Sequence, residues 1–96
     1  MSSLSHIQIL SLFEEITNEV RQYQYSRRLQ RTHIHRILVY SRQSRSILLK
    51  VLEDPFLSDT FKQLLTETRN QLVQASQRYF SEAIRIRQQQ ILDLST

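Results

Sequence analysis

Arginine is the residue type in this chain best equipped for recognition chemistry. There are 11 arginines against two lysines, and eight of these 13 cations fall between Glu19 and Glu53, where no acidic residue occurs. The eight are Arg21, Arg27, Arg28, Arg31, Arg36, Arg42, Arg45 and Lys50. A guanidinium presents a planar fork of donors that suits carboxylates, phosphates and interfaces, so the block points to contacts rather than to solvation alone. On a continuous helical frame Arg21, Arg28, His35 and Arg42 recur every seven residues. Arg31 and Arg45 lie on the adjacent stripe, three positions after Arg28 and Arg42. These six residues form the candidate partner-binding ridge. Arg27 falls on the apolar seam beside it, and Arg36 and Lys50 lie off that face.

Three chemistries fit such a ridge. The first is internal neutralisation. Glu14, Glu15 and Glu19 have no Arg or Lys three or four residues on, so their own helix offers no partner. A fold-back near residues 25–30 sets Glu15 and Glu19 opposite the Arg42–Arg45 turn, and Phe13 and Ile16 opposite Ser44–Leu48. The second is nucleic acid, with arginines neutralising phosphates and Tyr23, Tyr25 and Tyr40 stacking on bases. No helix-turn-helix glycine, zinc finger or RNP motif supports it. The third is a protein partner: an acidic amphipathic helix docked against arginines beside an apolar seam. A membrane-surface role ranks below these, because the apolar residues of 27–52 are needed inside the bundle.

Catalytic and metal chemistry finds little to work with. His33 and His35 point about 200° apart on a helix and cannot share one ion there. Glu14 and Glu15 are adjacent and face about 100° apart, so they form no acid/base dyad. The chain has no cysteine and no glycine, which removes thiolate nucleophiles, cysteine zinc sites, Gly-rich phosphate loops and the Gly-X-Ser-X-Gly elbow. No cofactor, no metal and no enzymatic activity are expected.

The elements that position the ridge follow from the same absences. Ninety-six residues suit one domain, here the whole of 1–96. With no glycine and one proline, the turns of a β-sandwich are missing, and an all-α fold remains. Ser5-His-Ile-Gln8 reads as a capping box and starts the first helix. Positions 13, 16, 20, 23, 27, 30, 34, 37, 41, 44, 48 and 51 alternate steps of three and four. They form apolar, polar, apolar, small-polar and apolar layers in turn. Glutamates early and arginines late favour a helix end near Tyr25–Arg28, although no Gly, Pro or Asn marks a turn. Thr32–Tyr40 is rich in β-branched and aromatic residues, but a lone strand would have no partner, so it reads as helix.

Asp54-Pro55 is the strongest break, and Thr60-Phe-Lys-Gln63 offers a second capping box, so the last helix begins within 55–61. Its stripe is Phe61, Leu64, Leu65, Leu72, Val73, Ala75, Tyr79, Phe80, Ala83, Ile84 and Ile86. The expected architecture is an elongated antiparallel bundle of three helices, about 5–24, 28–53 and 57–92. The alternative is one continuous helix through the first two. Dimerisation is expected, since long helices in a short chain leave apolar surface uncovered.

Residues 1–20 carry no Lys or Arg, so no secretory or transit signal is read there, and a cytoplasmic setting is expected. The net charge of +4 hides its segregation into a basic middle and an acidic remainder. The function expected is a non-enzymatic protein-interaction module: an adaptor, assembly factor or small chaperone. A nucleic-acid-binding accessory or regulatory protein using the same arginines is the alternative.

Overall fold

A computed structural model describes residues 5–26 and 30–95. Three helices make up the fold: α1 (His6–Tyr23), α2 (Arg31–Glu53) and α3 (Asp59–Ser95). The chain therefore breaks after Tyr23, and the continuous-helix alternative is excluded. Thr32–Tyr40 lies wholly inside α2.

The predicted cap at the first helix is present. Ser5 sits in extended geometry, its hydroxyl accepts the Gln8 N–H at 3.2 Å, and its own N–H donates to Gln8 Oε1 at 2.8 Å. Two satisfied donors at one end offset part of the cost of starting a helix.

The start of α3 differs from the expected Thr60 box. Ser58 is the cap: its hydroxyl accepts the Phe61 N–H at 3.2 Å and its carbonyl accepts the Lys62 N–H at 3.1 Å. Asp54 instead closes a tight turn, accepting the Phe56 N–H at 2.8 Å, so Asp54-Pro55 shapes the connection rather than opening the helix.

The helices run up, down and up. His6 stacks on Phe61 at one end (centroids 4.3 Å apart), and Tyr23 meets Tyr79 edge-on at 6.0 Å further along, so α1 and α3 are parallel. Tyr40 reaches Glu19 and Arg69 reaches Ser44, which places α2 antiparallel to both. The molecule measures 61 × 24 × 17 Å. At ~1.5 Å per residue the 37 residues of α3 span about 55 Å, so this one helix sets the long axis.

Two apolar clusters form the core. Ile16, Val20, Tyr23, Ile37, Leu72, Ala75 and Tyr79 make one, with Phe80 packed against it. Phe13, Leu48, Val51, Phe61 and Leu65 make the other. The predicted seam is thus buried at Phe13, Ile16, Val20, Tyr23, Ile37, Ser44, Leu48 and Val51. The small-polar layer at Ser41–Ser44 gains a partner from α3, Arg69. Thr17 and Thr68 are buried and donate to carbonyls four residues back (Phe13 and Leu64), while Ser44 accepts from Arg69 Nε at 3.1 Å. Each buried hydroxyl is satisfied, as a low-dielectric interior demands.

On α3 the stripe narrows to Phe61, Leu65, Leu72, Ala75, Tyr79 and Ala83, joined by the buried Thr68, while Leu64 and Ile84 are exposed. Residues 87–94 are all exposed and leave Ile91, Leu92 and Leu94 uncovered.

The start of α2 is held from α3. Gln30, the residue preceding α2, has no side-chain cap, and its N–H donates to the Tyr79 hydroxyl at 3.3 Å. That hydroxyl also lies 3.4 Å from His33 Nδ1, and the His33 ring stacks on Tyr23 with centroids 3.9 Å apart. A tyrosine from the third helix therefore supplies an acceptor that a capping side chain would supply elsewhere.

The charge register differs from the expected one. Glu19 lies opposite Tyr40 and Arg36, not the Arg42–Arg45 turn: it accepts from the Tyr23 hydroxyl and from the Tyr40 hydroxyl at 2.5 Å, and Arg36 Nη1 is 3.6 Å away. The antiparallel offset is close to that expected, since Phe13 does cluster with Leu48. What differs is the rotation of α2, which turns Arg36 toward α1 and Arg42 and Arg45 away from it.

Candidate interaction surface

The six ridge residues do not form one continuous stripe. Arg21 lies in the last turn of α1, where it bonds Asn18 at 3.3 Å and Gln71 of α3 at 3.2 Å, on the α1–α3 side of the bundle. Arg28 lies outside the described residues. Arg31, His35, Arg42 and Arg45 are all exposed on α2. Spaced four, seven and three apart, they share one flank of that helix. This flank faces away from α1, because Tyr40 and Arg36 on the opposite flank bond Glu19.

The same flank carries leucines that the seam reading missed. Leu38, Leu49 and Leu52 are 46%, 49% and 45% exposed. With Arg31, His35, Arg42 and Arg45 they occupy positions 31, 35, 38, 42, 45, 49 and 52, a second series of steps of four and three. The inner series from Ile34 to Val51 builds the core, and the outer series intersperses three arginines and His35 with three half-exposed leucines. Single exposed leucines are ordinary on protein surfaces. Three at heptad spacing among arginines form a defined amphipathic face.

Electrostatically this face lacks an internal counterpart. The ion pairs among the described residues are Arg36–Glu19 and, within α3, Arg85–Glu82 at 2.6 Å. Neither uses Arg31, Arg42 or Arg45. Arg69 of α3 borders the face, with Nε on Ser44 and Nη2 on the Ser41 carbonyl at 3.2 Å. Burial, and then the nearby positive charge of Arg45, press its pKa down.

The aromatic residues distribute differently from a base-stacking platform. Tyr23 is buried against His33 and Tyr79, and Tyr40 is half-buried with its hydroxyl on Glu19. Tyr25 is 87% exposed, but it stands at the far side, in a shallow groove with Gln24, Gln74, Arg78 and Arg85. His33 is committed to that aromatic stack, whereas His35 is exposed on the α2 flank.

No helix among the described residues is long and apolar enough to cross a membrane. Comparison with protein-family models, with curated proteins and with solved structures finds no match.

Proposed function

We propose that this chain is a non-enzymatic interaction module, an adaptor, assembly factor or small chaperone, whose outer α2 flank docks an acidic amphipathic helix. One observation carries the reading: Arg31, Arg42 and Arg45 have no acidic partner among the described residues and share a flank with half-exposed Leu38, Leu49 and Leu52. A helix with a leucine stripe edged by glutamates complements both features at once, the leucines giving affinity and the charges register. Self-association belongs to the same reading. Ile84, Ile91, Leu92 and Leu94 are exposed on the distal part of α3, and antiparallel pairing with a second copy covers them.

The nucleic-acid alternative has less support. It needs aromatic platforms beside the same arginines, and the exposed Tyr25 stands in the groove with Arg78 and Arg85 rather than on the α2 flank.

Fluorescence anisotropy with two probes, alongside light scattering of the free protein, tests the reading. The probes are a synthetic amphipathic helix with a leucine stripe flanked by glutamates, and single-stranded DNA. The peptide is expected to bind and to retain most of its affinity between low and physiological salt, and the free protein is expected to scatter as a dimer. Binding of DNA alone, lost steeply with salt, overturns the docking reading. A monomer mass overturns the pairing of α3.

A further inference from the structure

Among the cations bordering the α2 flank, Arg69 stands in the least ordinary position. It is half-buried, its guanidinium is anchored by two hydrogen bonds to α2, and both acceptors are neutral: the Ser44 hydroxyl and the Ser41 carbonyl. A buried guanidinium normally meets a carboxylate, because desolvation is costly unless charge returns the lost interaction. Here the neighbouring charge is of the same sign. Arg45 follows Ser44 directly and lies one turn beyond Ser41, on the side of α2 that Arg69 approaches, and after burial its positive charge lowers the Arg69 pKa further. Neither arginine pairs with an acid among the described residues. The two bonds to α2 fix the fork in place, and they leave Nη1 and part of Nη2 for another acceptor.

The geometry points to a carboxylate seat between α2 and α3, in which Arg45 and Arg69 together receive one acidic side chain of the docked helix. The inference rests on the docking reading above and fixes its register. An anion placed between two guanidiniums removes their repulsion and gains charge-assisted bonds from an already oriented fork. Leu38 and Leu49 lie on the same flank as Arg45, seven residues before it and four beyond it respectively, so the docked helix sets its carboxylate here and its leucines on either side.

The side-chain Nε–H signals of the arginines report this seat directly, with acetate as the probe and chloride at matched ionic strength as the control. Acetate is expected to shift the Arg45 and Arg69 signals along a saturating curve, while Arg87, exposed on distal α3, follows chloride. Arg45→Met is expected to weaken the saturating shift at Arg69 by about tenfold. Arg69→Lys, which keeps charge but loses the fork, is expected to abolish saturation at Arg45; unchanged backbone spectra show that each variant is folded. Shifts that match chloride, or that persist in both variants, overturn the seat. The docking reading falls separately, by failure of the leucine-stripe peptide to bind.

Discussion

Glu19→Ala is expected to lower the stability of the bundle by about 1–2 kcal/mol, seen as a fall in Tm of about 5–15 °C. The carboxylate accepts hydrogen bonds from Tyr23 on its own helix and Tyr40 on α2, and pairs with Arg36. Removing it leaves two tyrosine hydroxyls beside the core without their acceptor, and an unsatisfied buried donor costs more than the bond itself was worth. The figure stays modest because the Glu19 side chain is 33% exposed and water compensates part of the loss.

The network also sets a pH window. Desolvation pushes the Glu19 carboxyl up, but the Tyr23 and Tyr40 hydroxyls and Arg36 outweigh it and hold the group below its ordinary value of 4.5. A depressed folded pKa means that the native state binds fewer protons than the unfolded chain. Its stabilisation is therefore complete above the unfolded value and fades as pH falls through the folded one.

Tyr23 works in the opposite sense. Burial, and then the bond to Glu19, raise it from 10.0 to about 12, so its contribution is complete below pH 10 and fades as pH rises toward 12. Urea unfolding of wild type and Glu19→Gln from pH 3 to 7 checks the acid side. The glutamine variant should lose part of the acid dependence; identical slopes would remove Glu19 from the account.

The second large effect concerns the α2 flank. Leu38→Glu with Leu49→Glu is expected to weaken binding of the leucine-stripe peptide about 100-fold, and Arg31→Glu with Arg42→Glu about tenfold. All four side chains are exposed or half-exposed, so helicity and Tm should stay close to wild type. The order follows from magnitudes. Covering a half-exposed leucine contributes on the order of 1 kcal/mol, and a glutamate forced into its place adds a desolvation cost. An exposed ion pair contributes ~0–1 kcal/mol and is screened by salt. The reverse order, with arginine variants silencing binding and leucine variants neutral, would identify a purely electrostatic ligand such as nucleic acid.

Much of the architecture is legible locally. The Ser5–Gln8 capping box, the inner seam from Phe13 to Val51 and the helical nature of Thr32–Tyr40 all follow from short-range spacing. Charge order alone points to a break near Tyr25–Arg28, while the bond that anchors the start of α2 comes from Tyr79, some fifty residues later. Ser58 is the cap in place of Thr60, since either hydroxyl suits the role and local spacing does not choose between them.

The surface was harder to read. Rotating α2 about its own axis leaves the seam intact but decides whether Arg36 or Arg45 faces Glu19, and no local pattern encodes that rotation. Leu38, Leu49 and Leu52 were hidden for a related reason. A helix with two interleaved heptad series shows which series is inner only when the helices on either side are in place. The Arg69 contacts with Ser41 and Ser44 join residues more than twenty positions apart, and the one signal available was an arginine within the α3 stripe region lacking an acid three or four residues away.

The central claim, that the outer flank of α2 is the docking surface, is tested most directly by backbone amide shift mapping during titration with the leucine-stripe acidic peptide. The predicted result is a contiguous set of perturbations at Arg31, His35, Leu38, Arg42, Arg45 and Leu49, with Arg69 included and Arg21, Tyr25 and Arg78 unmoved. Perturbations centred on Tyr25 and Arg78, or none on α2 at saturating peptide, would contradict it.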